Sequence, residues 1–315
     1  MGMSTPVLES LFLKYRPDYV GMLDFSPIST GKFNQSYWVD SEEGQYVIRV
    51  APSRRNVFVF YERGMMAQEP QIHALVRAET AVPVPRILGF DDSQTLIAHD
   101  YMLMDALPGR PLTEIDNPKF DFVLGQLGEM LAQVHQLHAV QYGYLGIHKP
   151  MQPQTHWVDA FAIMWNKLVD DIVGVRHYSK AESVFVRGLL EAHLRLFDRK
   201  VPASLLHMDV WHQNILVDEQ SQITGLLDWD RALWGDPEIE FAVLDYCGLS
   251  GPAFWEGYGQ ERDTSPEAKI RQVFYLLYEL QKYIVIEQGR RRNAQKAHQY
   301  KQQVFSIIAQ SFDIN

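Results

Sequence analysis

Residues 207–230 read HMDVWHQNILVDEQSQITGLLDWD, and this block constrains the fold more than any other stretch of the chain. "ILV" is a short β run, "DEQSQ" has the composition of a turn, and "ITGLLDWD" begins as a second β run. Such a hairpin sets the residue before its first strand beside the residue closing its second. Asn214 is therefore expected near Asp228, with Asp209 five positions ahead on the entering loop. The spacing alone leaves three readings open. His207, Asp209 and His212 could form a transition-metal cluster, since His-x-Asp-x-x-His offers borderline ligands. The block could be a catalytic loop, or simply polar residues at a strand end. Asn214 followed by a hairpin favours the second reading. The amide of Asn214 and the carboxylate of Asp228 are hard oxygen donors suited to Mg²⁺, while Asp209 is placed to accept a proton.

The texture of the rest of the chain divides near residue 105. Ahead of it, "FSPIST", "QSYWVDS" and "QYVIRVA" read as strands separated by turn chemistry. One helix is expected around "YERGMMAQEPQIHALVRA", its boundary obscured by Pro70, followed by strands at "RILGFDD" and "TLIAHDYMLMDAL". Beyond "PGRPLTE", apolar residues recur at helical spacing, as in Val123, Leu127, Leu131, Val134 and Leu137. The expected architecture is α+β and bilobal. A small β-rich N-terminal lobe (residues 1–105) is joined to a larger, mostly helical C-terminal lobe (residues 106–315), with a ligand cleft between them. A chain of 315 residues is long enough for two cores.

Composition excludes several classes. One cysteine, Cys247, cannot form an internal disulfide framework and fits a reducing cytoplasm. No apolar run reaches the roughly eighteen residues that span a bilayer, so no membrane partner is expected. A net charge of −10 argues against a general nucleic-acid surface. The basic run "GRRRNAQK" at residues 289–296 is expected to meet solvent or a helix C-terminus.

The block "HMDVWHQNILVD…ITGLLDWDRALWGDPEIEFA" resembles the signature of the aminoglycoside phosphotransferase and choline kinase-like enzymes, the small-molecule branch of the protein-kinase-like fold. "YVIRV", "VPVPRILG", "YMLMDALPGRPL", "LGEMLAQVHQLH" and "FWEGYG" follow in the family's order. The resemblance implies an enzyme using ATP and Mg²⁺ to phosphorylate a hydroxyl of a small-molecule acceptor. It implies that Asp209 is the catalytic base, that His207 braces its loop, and that Asn214 and Asp228 hold the metal. Arg49 stands where protein kinases carry the phosphate-gripping lysine, with Glu69 as its helix partner and Glu62 as the rival. Backbone at Asp105 and Leu107 would hold the adenine. The phosphate loop departs from the kinase pattern: "STGKFNQS" has one glycine, Gly31, so backbone amides and the hydroxyls of Ser29, Thr30 and Ser36 would cradle the phosphates.

Two other readings stand beside this one: a nucleotide-binding pseudokinase without turnover, and the hydrolase built on His207, Asp209 and His212. Trp229 and Trp211 are expected in packing, His135 and His138 as ordinary polar residues, and Asp236 as a structural clamp. The acidic residues Asp159, Asp170, Asp171, Glu256 and Glu261 tilt the expected acceptor toward a cation. Aminoglycosides, other antibiotics, fructosamines, homoserine and choline-like alcohols remain open, and nothing in these patterns speaks to oligomeric state.

Overall fold

The architecture is taken from a computed structural model that describes residues 2–31 and 33–312. Helix α1 (Thr5–Tyr15) has Pro6 in its first turn, where a missing N–H costs nothing. It lays Leu8, Leu11 and Phe12 on the sheet that follows. Strands β1 (Leu23–Ile28), β2 (Gln35–Ser41) and β3 (Gly44–Val50) form an antiparallel meander. Helix α2 (Glu69–Glu79) begins at Glu69 because Pro70 is tolerated only in the first turn. Strands β4 (Ile87–Asp91) and β5 (Tyr101–Asp105) complete a five-stranded antiparallel sheet in the order β1-β2-β3-β5-β4. Register pairs Arg49 of β3 with Ser36 on one side and Met102 on the other. Arg49 and Ser36 thus stand side by side on neighbouring strands.

After Asp105 the chain crosses into a helical region. Strand β6 (Arg110–Pro111) precedes α3 (Phe120–Val134), β7 (His138–Ala139), α4 (Trp157–Gly174) and α5 (Lys180–Glu191). Next come β8 (Ala203–Leu206), β9 (Ile215–Val217), β10 (Ile223–Leu226) and β11 (Leu233–Gly235). Helices α6 (Glu238–Cys247), α7 (Pro252–Tyr258), α8 (Pro266–Val285) and α9 (Ala294–Ser311) close the fold. The expected hairpin forms as β9–β10 and is extended by β6, which ties the inter-lobe connection to it. A second small sheet, β11-β8-β7, carries the entry to the catalytic-type loop.

Two apolar clusters hold this region. Trp157, Phe161, Trp165, Phe197, Phe274 and Tyr275 pack α4 against α8, with Phe161 and Phe197 stacked at 4.7 Å. Leu127, Leu131, Ile215, Leu226, Trp229 and Phe254 pack α3 and α7 beneath the hairpin. Helices α3 and α7 touch through glycines: a Cβ at Gly257 would stand 2.0 Å from the Gly125 carbonyl oxygen. Among the described residues no helix is long and apolar enough to cross a membrane.

Helices α1, α6, α7 and α9 were not anticipated from the sequence. Helix α9 buries only Ala297, Val304 and Ile308, and α1 only three residues, so their apolar stripes are too thin for a periodic signal. The run "ESVFVRGLLEAHLRLF" is expected as one helix. It ends instead at Glu191 and resumes as a short 3₁₀ turn at Leu194–Phe197.

Candidate active site

A cavity of about 470 Å³ lies between the sheet and the helical region. Its wall includes Arg49, Asp105, Leu107, Asp209, Asn214 and Asp228. The β9–β10 hairpin closes as expected: the Leu227 N–H donates to the Asn214 carbonyl at 2.9 Å, which sets the two candidate ligand residues side by side. Asp228 leaves the strand direction through a left-handed conformation (φ 68°), an uncommon state for a residue other than glycine. Such strain persists only where the surroundings over-determine it, as they do at functional sites.

Arg49 is the hub on the sheet side. It donates to Glu69 at 2.7 Å and to Asp228 at 2.5 Å, and lies 3.5 Å from Asp230. Glu69 is therefore its helix partner. Glu62 is instead engaged with Arg290 at 3.2 Å and accepts the Val59 N–H. Glu69, Asp228 and Asp230 bring carboxylate oxygens within 4.8 Å of one another. One guanidinium cannot neutralise three carboxylates. Burial and the neighbouring Asp228 and Glu69 charges push Asp230 well above the usual carboxylate range. Asp228 moves down, because Arg49 and a hydrogen bond from Asp230 outweigh its burial. Within this pair the environment favours the proton on Asp230 and the charge on Asp228.

The loop side is organised around Asp209. Its Oδ1 accepts from Arg231 at 2.7 Å. Asn214 donates its Nδ2 to the Asp209 carbonyl at 2.9 Å, leaving the amide oxygen for other work. His207 is fully buried, with Nε2 at 2.9 Å from the Leu227 carbonyl and Nδ1 accepting the Asp209 N–H at 3.2 Å. Its ring lies 4.4 Å from Trp229, which is itself fully buried. Burial pulls the His207 pKa down, which favours the neutral ring, and the ring ties the loop entering the hairpin to the segment that leaves β10. His212 stacks on Phe120 instead of approaching His207. Among the described residues the only group of His, Cys, Asp or Glu close enough to share a metal is Glu69, Asp228 and Asp230. The His207–Asp209–His212 cluster does not assemble.

The phosphate loop is placed in part. Thr30, Gly31 and Ser36 line the cavity, whereas Ser29 is exposed in the turn outside its wall. At the inter-lobe connection the Asp105 N–H is taken by the Arg86 carbonyl at 3.0 Å and the Ala106 N–H by the Gln45 carbonyl at 3.1 Å. Asp105 and Leu107 both line the cavity.

Several site residues were not picked out from the sequence. Asn34 is buried beside Asp230, and its Oδ1 has no partner among the described residues. Gln68 donates to the Asp230 carbonyl at 2.5 Å. Glu240, fully buried on α6, accepts the Met208 N–H at 2.6 Å and faces His135 Nε2 at 2.8 Å. Asp230 and Arg231 could have been read from their position directly after Asp228. The others depend on contacts more than thirty residues apart.

The acidic acceptor residues expected from the sequence do not line the cavity. Asp170 pairs with Arg187 at 2.6 Å, and Asp171 accepts the Phe60 N–H at 2.7 Å. The basic run meets solvent as expected, Arg291 and Lys296 being exposed, and with Arg290 these two also stand in the cavity wall. Asp236 clamps its segment, accepting the Glu238 N–H and pairing with Arg199 at 2.6 Å.

Residues 24–270 match the profile of the phosphotransferase enzyme family. The chain belongs to that family. With it, the chain joins the small-molecule kinases of protein-kinase-like fold. A "Probable ketoamine kinase" of Vibrio parahaemolyticus is 26% identical over 265 residues, covering 80% of this chain and 83% of that protein. A crystal structure named as a "Putative fructosamine-3-kinase" from Haemophilus somnus superposes with a TM-score of 0.68 at 18% identity, covering 94% and 96% of the two chains. Aminoglycoside phosphotransferase APH(4)-Ia, in a ternary complex with AMP-PNP and hygromycin B, superposes with a TM-score of 0.63 at 18% identity, covering 94% and 98%. These structures share the fold of this phosphotransferase.

Proposed function

We propose that this phosphotransferase moves the γ-phosphoryl group of ATP to a hydroxyl of a small molecule, in the cavity between its lobes. The observation that carries the reading is the meeting of two remote pieces of chain. The Arg49–Glu69 pair of the sheet contacts Asp228, while the hairpin that presents Asp228 also fixes Asn214 and Asp209. An ATP-dependent kinase needs those two pieces together: a phosphate grip, and metal ligands beside a proton acceptor.

In this reading adenine bonds to backbone at Asp105 and Leu107, and Arg49 grips phosphate with a guanidinium oriented by Glu69. Thr30, Gly31 and Ser36 cover the phosphates. The donor set suits Mg²⁺: an ionised Asp228 oxygen and the Asn214 amide oxygen are hard ligands, and no soft ligand stands among them. When bound, Mg²⁺ neutralises charge on the phosphate oxygens. Asp209 orients the acceptor hydroxyl and receives its proton, while Arg231 holds the Asp209 carboxylate and offers positive charge next to the transferring group. The ketoamine-kinase relatives support an acceptor of sugar size.

The test pairs binding with turnover. ATP with Mg²⁺ should raise the melting temperature of the wild type. Asp209→Asn should keep that rise while losing roughly 10²–10⁴-fold in turnover, the usual contribution of a positioned base. Turnover near wild type in Asp209→Asn, or no stabilisation of the wild type by ATP and Mg²⁺, would reject the assignment.

A further inference from the structure

The acceptor end of the cavity lies past Asp209, where α8 turns into α9. The turn at Ile286–Arg290 is π-helical, a geometry that recurs at functional sites because it costs regular hydrogen bonding. Its charges are arranged in depth. Glu62, Glu279 and Glu287 are almost fully buried; Glu62 and Glu287 lie behind the wall, and Glu279 lines it. Arg290 stands in the wall in front of Glu62 at 3.2 Å and Arg291 in front of Glu287 at 2.6 Å, whereas Lys282, buried outside the wall, pairs with Glu279 from behind. Arg231 faces Asp209 at 2.7 Å.

Glu287 is shared by Arg291 and by Lys296, the latter at only 3.6 Å. Among the described residues, Arg231, Arg290, Arg291 and Lys296 line this end of the cavity against the carboxylates of Asp209 and Glu279. The side chains of Arg291 and Lys296 remain 41% and 46% exposed, while the Glu287 side chain is 1% exposed. A ligand entering here meets positive charge first, in a chain whose net charge is −10. Tyr283 and Tyr300 stack at 5.0 Å beside these cations and give the wall a flat apolar face.

We infer that the acceptor is an alcohol carrying an anionic oxygen group, a carboxylate or a phosphate, which Lys296 and Arg291 engage while Asp209 faces the hydroxyl. The inference rests on the kinase reading and names the substrate class of the same site. It reverses the cationic acceptor expected from the sequence, because the acidic residues that suggested one do not reach the cavity. Arg290 also reaches the phosphate loop, since its guanidinium lies 4.7 Å from the Phe33 ring and joins that loop to Glu62. An anion bound beside it is therefore coupled to the loop that covers the phosphates.

The experiment titrates four matched pyranoses, glucuronate, glucose 6-phosphate, glucose and glucosamine, into protein saturated with ADP and Mg²⁺, following tryptophan emission. Trp211 lines the cavity and reports occupancy. The expected result is at least tenfold tighter binding of one or both anions than of glucose, with glucosamine weakest. Which anion wins separates the carboxylate from the phosphate. In Lys296→Glu, and separately in Arg291→Glu, the preference should fall at least tenfold while ADP affinity is unchanged. Equal affinity across the four sugars, including no binding by any, overturns the inference. So does a glucosamine preference, or a preference that survives both charge reversals. Failure of the kinase reading looks different, because it removes the melting-temperature rise with ATP and Mg²⁺ in the wild type.

Discussion

Glu240 carries the conformation of the loop that presents Asp209, and its removal should cost about 3–5 kcal/mol. The carboxylate is fully buried on α6 and satisfies two donors at once, the Met208 N–H at 2.6 Å and the His135 ring at 2.8 Å. Met208 sits between His207 and Asp209 in the left-handed region (φ 65°), a state that an unbranched side chain adopts only when held. Glu240→Ala leaves two buried donors without acceptors, each worth about 1–3 kcal/mol, and adds a small cavity. Glu240→Gln should behave differently. Its amide oxygen can still accept from Met208. Its NH₂ can donate to His135 Nε2 once the ring carries its proton on Nδ1, where the Tyr258 hydroxyl lies at 2.8 Å and can accept it. That exchange costs about 1 kcal/mol or less. At about 2 °C per kcal/mol for a chain of this size, the Ala variant should melt about 6–10 °C lower and the Gln variant within about 2 °C of wild type. Thermal melts followed by circular dichroism, with urea midpoints as a check, separate the two. Equal losses in both variants, or a loss in the Ala variant under about 1 kcal/mol, would refute the claim that hydrogen bonding by Glu240 holds the loop.

Three further outcomes follow from named contacts. Glu69→Ala removes the partner that aims Arg49 and should weaken Mg²⁺-nucleotide binding by roughly tenfold or more, the value of a charge-assisted hydrogen bond, whereas Glu62→Ala should leave that affinity unchanged; isothermal titration distinguishes them. Gly257→Ala puts a methyl 2.0 Å from the Gly125 carbonyl oxygen, backbone against backbone, and should lower stability by about 1–3 kcal/mol or more in urea unfolding. Burial pushes the Asp171 carboxyl up to about 6, so the fold favours its protonated form. The stability this gives is present below about pH 4 and lost as pH rises through about 6. Asp171→Asn, which can still accept the Phe60 N–H, should therefore match the wild type in melting temperature at pH 4 and exceed it at pH 8.

The sequence was most legible where chemistry and secondary structure are both local. The β9–β10 hairpin spans few residues, so Asn214 and Asp228 could be placed together from turn composition alone, and a main-chain bond between Leu227 and Asn214 joins the two ends. The choice between Glu62 and Glu69 was harder. Glu62 lies ahead of the helix and Glu69 opens it, and only Pro70, confined to the first turn, marks Glu69 as that first residue, where it meets Arg49 of β3. Legibility failed for groups whose meaning depends on a distant partner. Asn34 meets Asp230, and Glu240 meets Met208 and His135, across separations that no spacing rule reports. It failed equally for the thin-striped helices α1 and α9.

The acceptor wall shows why charge counting along a sequence misled. Asp170 and Asp171 sit on a helix near the cavity, yet one is spent on Arg187 and the other on a main-chain N–H of the loop at Phe60. Arg290, Arg291 and Lys296 look like a solvated run after a helix, the usual fate of such segments. The π-helical turn adds to that fate, because it ends α8 beside the cavity: Arg291 and Lys296 stay exposed and stand in the cavity wall as well. Buried glutamates then determine which way the basic side chains face. A charge in sequence has a sign but no direction; direction comes from the partner behind it. That is why the same three residues, silent as a motif, give the acceptor end of this cleft its positive face.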